Sequence, residues 1–282
     1  MVRVRTFAEA IKLSHSVFAL PFAVSAAFMA AGGLPEPALL GKIILACVFA
    51  RSAAMSFNRL VDARIDAANP RTAARAVPAG ALSRRFMVIA TLLSLGGFVA
   101  CAGWINELAL RLAPIAIAVL LGYSWTKRFT SLSHLVLGAA LGLSPVGAWV
   151  AVRAELAMLP AILGAAVLFW TAGFDVIYAC QDRSFDSTSG LRSIPVRFGI
   201  ARALWLSRAF HALAVALLGS AGALGGHGWP FAIGVAGVAA LLVYEQSLVR
   251  PDDLSRVGVA FFTLNGAVSV FFMSAVIVDT VS

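Results

Sequence analysis

Long uncharged stretches alternate along this chain with short segments that hold nearly all of its Arg, Lys, Asp and Glu. Residues 13–35 carry no charged side chain, and the same is true of 86–106, 129–152, 156–174 and 257–278. About 20 apolar residues in a helix cross a hydrocarbon core of about 30 Å, so each stretch has the length of one crossing. Leu112–Thr126 is shorter, but Glu107 and Arg111 at its start can reach back to the interface. Ile43–Phe57 is interrupted only by Arg51. Residues 209–244 are free of Asp, Glu, Lys and Arg; as one helix they would run about 54 Å, too far for a single crossing. Gly225-Gly226-His227-Gly228-Trp229-Pro230 supplies the break. The pattern predicts an all-α, multi-pass membrane protein of nine helices in one domain over residues 1–282. Their approximate positions are 13–33, 41–64, 84–105, 108–126, 132–152, 157–180, 201–223, 228–248 and 257–279.

Charge gives the orientation. The N-terminus and the loops after spans 2, 4, 6 and 8 carry 18 Lys and Arg, while the other face has only Lys42, Arg111 and Arg153. Positive loops stay on the cytoplasmic side, which places the N-terminus in the cytoplasm and the C-terminus outside. The first apolar stretch is read as a retained helix, because 23 residues exceed the h-region of a signal peptide. Composition agrees with the helix count. The chain is 61% hydrophobic and 12% charged, with a mean hydropathy of +0.91; soluble domains carry about 25% charge. That excludes a soluble enzyme or a secreted scaffold. Cys47, Cys101 and Cys180 lie in apolar runs without a CxxC pair, so neither disulfide framework nor zinc site is expected. The net charge of +9 fits basic loops at an anionic leaflet, and no nucleic-acid motif is present.

The acids are concentrated. Five of the 13 fall in two windows, Asn58–Asp66 and Asp175–Asp186, at the predicted cytoplasmic ends of spans 2 and 6. At about 100° per residue, Arg51, Asn58, Asp62 and Asp66 share a helical arc of about 80°, and Asp175, Tyr178, Asp182 and Asp186 do the same. Each face puts one ionisable group about 10 Å deeper than a pair of oxygen ligands one turn apart. Such oxygens suit Mg²⁺, a hard cation commonly shared with substrate phosphates. Lys127, Arg128, Arg71, Arg75 and Arg192 are predicted at the same edge, where cations can meet phosphate oxygens. A lone DxxxD reads equally well as a solvated helix end. Two on matching spans point to a metal–diphosphate site.

Taken together, these motifs resemble the UbiA-type intramembrane aromatic prenyltransferases. The resemblance is carried by NxxxDxxxD at Asn58, Asp62 and Asp66, and by DxxxD at Asp182 and Asp186. It extends to YxxxK at Tyr123 and Lys127, to KLSHSVFALPFA from Lys12 and to DVIYACQDRSFDSTSGLRSIPVRFG from Asp175. About residues 8–200 are covered. The resemblance implies a ring of nine helices around a lipid-open cavity, capped by loops 65–83 and 181–200. It implies that Asn58, Asp62, Asp66, Asp182 and Asp186 hold Mg²⁺ on a prenyl diphosphate, and that Arg51, seven residues before the motif asparagine, anchors an aromatic acid.

The chemistry of the side chains gives each a task. Lys127 is the leading donor to the departing diphosphate, with Arg71, Arg75, Arg192 and Tyr123 beside it. Tyr123 and Tyr178 offer ring faces to an allylic cation, or sit as interfacial belt residues. A cation within a span needs a partner: for Arg51 this is a substrate carboxylate, bound with Asn58, Asp175 and Tyr178 nearby, or else a structural ion pair with Asp175. Asp175 or Asp182 orients or deprotonates the ring hydroxyl. His15 is expected to pack within its helix, and His134, His211 and His227 have no acid near them in sequence. The expected reaction is polyprenyl transfer to 4-hydroxybenzoate or a similar aromatic acid in quinone synthesis. A hydroxynaphthoate acceptor is the close alternative, and an ion-coupled transporter the alternative of another class.

Overall fold

The computed structural model describes the backbone from residue 2 and the side chains from residue 5 to Ser282. Among the described residues, nine helices are long and apolar enough to cross a membrane: α1 (Leu13–Ala31), α2 (Pro37–Val61), α3 (Arg84–Ile105), α4 (Glu107–Thr126), α5 (Ser133–Arg153), α6 (Met158–Thr188), α7 (Ile200–Gly225), α8 (Trp229–Ser247) and α9 (Val259–Val281). Local chemistry sets their ends. Pro37 and Pro230 lie in the first turns of α2 and α8, where a missing N–H costs nothing. The Ser83 hydroxyl and the Asn106 side-chain oxygen accept the N–H groups of Phe86 and Ala109, capping α3 and α4. Gly32 and Gly226 close α1 and α7 in the left-handed conformation, at φ 65° and 66°.

Neighbouring helices pack around a ring: α2 on α3 and α4, α4 on α5, α5 on α6, α6 on α7, α7 on α8, α8 on α9, with α1 against α5 and α9. Backbones approach closely where glycine permits. A Cβ on Gly138 would collide with the Leu168 carbonyl oxygen, and one on Gly142 would stand 2.5 Å from that of Gly164. Small residues at such a seam give van der Waals contact that lipid tails do not replace. Phe18, Phe22, Trp170, Phe174 and Phe272 fill the junction of α1, α6 and α9. Polar bonds tie α6 and α8 to α9: Trp170 Nε1 donates to Asn265 Oδ1 at 2.7 Å, and Asn265 Nδ2 to buried Glu245 at 3.1 Å. At the opposite end Asp279 accepts the N–H groups of Gly228 and Phe231, so α9 caps α8.

Two helices break where they carry their acids. The regular turns of α2 stop at Val61, short of the expected residue 64. Asp62 (φ −91°, ψ 2°) then leads into a six-residue helix, Ala63–Ala68. In α6 the regular part stops at Ala179, and Asp182 (φ −95°, ψ 1°) leads into Arg183–Thr188, again six residues. The first aspartate of each DxxxD thus occupies the same bridge-region conformation, and the second lies on a short helix beyond it.

The segments around these breaks cover one end of the ring. Val77, Leu82 and Met87 form a small core with Ala63, against which Phe7 and Phe86 pack. The helix Val2–Ala10 joins this cover through a hydrogen bond from Arg59 to the Ala10 carbonyl.

Candidate active site

The breaks in α2 and α6 face one cavity of about 270 Å³. Arg51, Asn58, Asp62, Asp66, Arg71, Arg75, Tyr123, Lys127, Asp175, Tyr178, Asp182 and Asp186 all line it. Each motif acid is held by a base. Asp62 accepts from Arg128 at 2.9 Å and from Asn58 Nδ2 at 2.8 Å. Asp66, buried at 5% exposure, is bound by Arg75 at 2.7 Å and faces Arg59 at 3.5 Å. Asp182 receives Nε and Nη2 of Arg71 and, at 3.1 Å, the amide of Asn69. The first capping loop therefore reaches across the cavity onto the second motif. Among the described residues Asp186 pairs only with Lys127, at 3.9 Å, and its Oδ2 is buried without a hydrogen bond. Burial pushes the Asp62 carboxyl above its ordinary range, against the opposing pull of Arg128.

Do these groups fit Mg²⁺? Two buried carboxylate oxygens, Asp66 Oδ2 and Asp186 Oδ2, accept no hydrogen bond and face Arg59 at 3.5 Å and Lys127 at 3.9 Å, so each keeps lone pairs that suit a cation. Among the described residues no three acid, histidine or cysteine side chains converge on one point. The fit is to an ion that takes a few protein oxygens and completes its shell with phosphate and water.

Deeper in the membrane the cavity meets a second, apolar chamber of about 320 Å³ between α2, α4 and α5. Arg51, Met55, Tyr123, Leu137 and Leu141 line both. Arg51 is bound through Nε and Nη2 to the carbonyl of Lys12, at 3.3 and 3.0 Å. Lys12 holds the left-handed conformation, φ 51°, that presents this carbonyl. Among the described residues Arg51 makes no ion pair with Asp175. Tyr123 directs its hydroxyl to Met55 Sδ at 3.9 Å. Tyr178 accepts from Arg71 Nη1 at 2.6 Å and lies against Phe261, ring centres 4.3 Å apart.

One expected ligand points elsewhere. Arg192 lines a separate cleft with Arg197, and its Nη1 donates to the Phe129 carbonyl at 2.7 Å. Its backbone N–H meets the Lys127 carbonyl at 2.7 Å, so it shapes the turn that carries Lys127 instead of reaching the cavity. Spacing alone had not revealed two cavity residues, Arg59 and Asn69, which bind the Ala10 carbonyl and Asp182. Nor had it revealed the pair of buried His134 and half-buried Asp175, 2.7 Å apart. The partners of Asp175 and of Asp182 come from other helices and loops, beyond the reach of a helical repeat.

A paired-aspartate, metal-compatible cavity above an apolar chamber is the arrangement expected of an intramembrane prenyltransferase, and comparison with known proteins agrees. The model of the UbiA prenyltransferase family matches residues 19–275. The chain belongs to the UbiA prenyltransferase family. Two relatives, the 4-hydroxybenzoate octaprenyltransferases of Cupriavidus necator and Aeromonas salmonicida, are 31% and 32% identical to it. The first match covers 84% of this chain and 82% of the relative, the second 89% and 87%. The apo structure of a UbiA homolog from Aeropyrum pernix superposes with a TM-score of 0.86 at 35% identity, covering 94% of this chain and 98% of that one. A UbiA homolog from Archaeoglobus fulgidus, solved bound to GPP and Mg²⁺, shares the fold at a TM-score of 0.73 and 20% identity, covering 97% and 99%. Family membership makes this an enzyme, a prenyltransferase embedded in the membrane, and removes the transporter reading.

Proposed function

We propose that this UbiA-family enzyme transfers a polyprenyl group from its diphosphate to 4-hydroxybenzoate, at the ring carbon beside the hydroxyl, at the cytoplasmic face of the membrane. The observation that carries the reading is the junction at Arg51. A cavity of aspartates and bases there opens into a chamber lined by aliphatic side chains, which divides polar head from apolar tail as a prenyl diphosphate does. The names of the curated relatives favour the benzoate over the naphthoate acceptor.

Asn58, Asp62, Asp66, Asp182 and Asp186 are the proposed holders of Mg²⁺. When bound, the metal neutralises charge on the leaving diphosphate. Lys127, Arg71 and Arg75 donate to the same oxygens. The allylic C–O bond breaks with its electron pair on diphosphate, and the ring carbon supplies the pair for the new C–C bond. The hydrogen displaced from that carbon leaves as a proton. Arg51 binds the acceptor's carboxylate through its spare donors, and the faces of Tyr123 and Tyr178 flank the allylic carbon. Between the two candidate bases, Asp175 is favoured. Asp182 is held on both oxygens by Arg71, whereas among the described residues Asp175 binds only His134 and keeps one oxygen for the acceptor's hydroxyl.

The test is product analysis by mass spectrometry. The protein in nanodiscs, with Mg²⁺, receives a panel of prenyl diphosphates with 4-hydroxybenzoate or a hydroxynaphthoate. Mg²⁺-dependent prenylation of 4-hydroxybenzoate is expected. Prenylation of the naphthoate alone would move the acceptor, and no product with any aromatic acid would overturn the reading.

A further inference from the structure

His134 is fully buried in the first turn of α5, and both of its ring nitrogens are engaged. Nε2 lies 3.3 Å from the backbone nitrogen of Ile194, which opens the short helix Ile194–Phe198 in the second capping loop. A backbone N–H only donates, so Nε2 presents a lone pair there and satisfies a group that the first turn of a helix leaves without a partner. The ring is then neutral, with its hydrogen on Nδ1. That hydrogen faces Asp175 Oδ2 at 2.7 Å, so the bond runs from histidine to a charged carboxylate. The other oxygen of Asp175 accepts nothing from the described residues, and Asp175 lines the cavity.

A second histidine–aspartate pair shows what a purely structural version looks like. His227 Nδ1 stands 2.6 Å from Asp279 Oδ2, but there the remaining oxygen, Oδ1, caps α8 through the N–H groups of Gly228 and Phe231. Both oxygens of Asp279 are used by the fold. Asp175 has one oxygen oriented and one oxygen left over.

We propose that His134 is a positioning residue for the prenyl-transfer step. Its Nδ1–H fixes the orientation and charge of Asp175, and its Nε2 makes that setting depend on the second capping loop being in place. The inference rests on the reading of Asp175 as the group facing the acceptor's hydroxyl, and the test separates the two. An Asn amide nitrogen falls near Nδ1 of a histidine, and the end of a Gln side chain falls near Nε2. His134→Asn therefore keeps the donor to Asp175 and loses Ile194, while His134→Gln keeps an acceptor for Ile194 and loses the donor to Asp175.

In nanodiscs with Mg²⁺, His134→Asn should hold kcat within about threefold of the parent, and His134→Gln should lower it roughly tenfold or more. KM for both substrates should change little. Asp175→Asn should lower kcat about a hundredfold or more. If Asp175→Asn remains active, the reading of Asp175 fails. If it is inactive while His134→Gln is active and His134→Asn is not, the histidine only tethers the loop and the proposal is overturned. Nitrogen-15 NMR of the histidine-labelled parent tests the same point without a variant. A neutral ring protonated at Nδ1 is expected, and a ring protonated at Nε2 would overturn the assignment.

Discussion

Arg51 spends two of its donors on the Lys12 carbonyl and carries its charge into the wall shared by the polar cavity and the apolar chamber. A cation so placed is costly unless an anion arrives. Arg51→Ala should raise KM for the aromatic acid roughly tenfold to a hundredfold, the worth of a charge-assisted bond of about 1.5–3 kcal/mol, and leave KM for the prenyl diphosphate nearly unchanged. Steady-state kinetics with each substrate varied in turn checks this, and equal losses would count against the anchor. Asp186 makes a different prediction. Its Oδ2 is buried without a donor, a standing cost in the free protein. Asp186→Asn should lower activity at least about a hundredfold while thermal stability in detergent holds or rises, the trade expected where function keeps a strained charge. A fall in both together would mark Asp186 as structural. These acids were legible in the sequence because a helical repeat of seven and four shows without a fold. The partner of Asp175 was not, because His134 lies 41 residues away on another helix. The orientation of Arg192 was hidden too: Arg183, Arg192 and Arg197 share that loop, and only packing decides which turns inward.

At the scale of elements, the matched breaks after Val61 and Ala179 explain why a straight-helix reading found the correct residues with the wrong continuity. The first break takes Asp62 out of α-helical geometry and the second takes one 3₁₀ turn, Cys180–Asp182, so the four-residue spacing of the acids survives while the second aspartate moves onto its own short helix. No Gly or Pro marks either break, so nothing in the local sequence announces it. The apolar chamber was equally silent, since its Ala, Leu and Val lining is what any membrane helix contains. It offers a test of where the tail lies. Gly147 on α5 lines the chamber, and a Cβ added there meets nothing within 4 Å. Gly147→Phe should therefore fill tail space without disturbing a packed seam. Long polyprenyl diphosphates should lose kcat/KM by roughly tenfold or more, at about 0.8 kcal/mol per excluded methylene, while a geranyl donor is retained. Equal activity on long and short donors would place the tail outside this chamber.

The molecule as a whole segregates its chemistry. One end of the ring gathers Asp62, Asp66, Asp182 and Asp186 with the arginines and the lysine that face them, above an apolar chamber. Without metal and diphosphate, protein bases do the neutralising, and they do it unevenly. Asp62 keeps a folded-state pKa above that of an unfolded chain, about 4, because burial outweighs Arg128. A carboxyl raised in this way contributes stability that is fully present below its unfolded pKa and is lost as pH rises through its folded one. The charged form is the form that binds a cation, so Mg²⁺ should return in the same window what deprotonation removes. Melting curves in nanodiscs should then show a larger Mg²⁺-induced rise in Tm at pH 7.5 than at pH 4.5, larger still with a prenyl diphosphate analogue present. In Asp62→Asn the pH dependence of that rise should shrink, because the titrating group is gone. A metal effect with the same size at both pH values would mean that Asp62 does not sense the ion, and the first motif would then need another role.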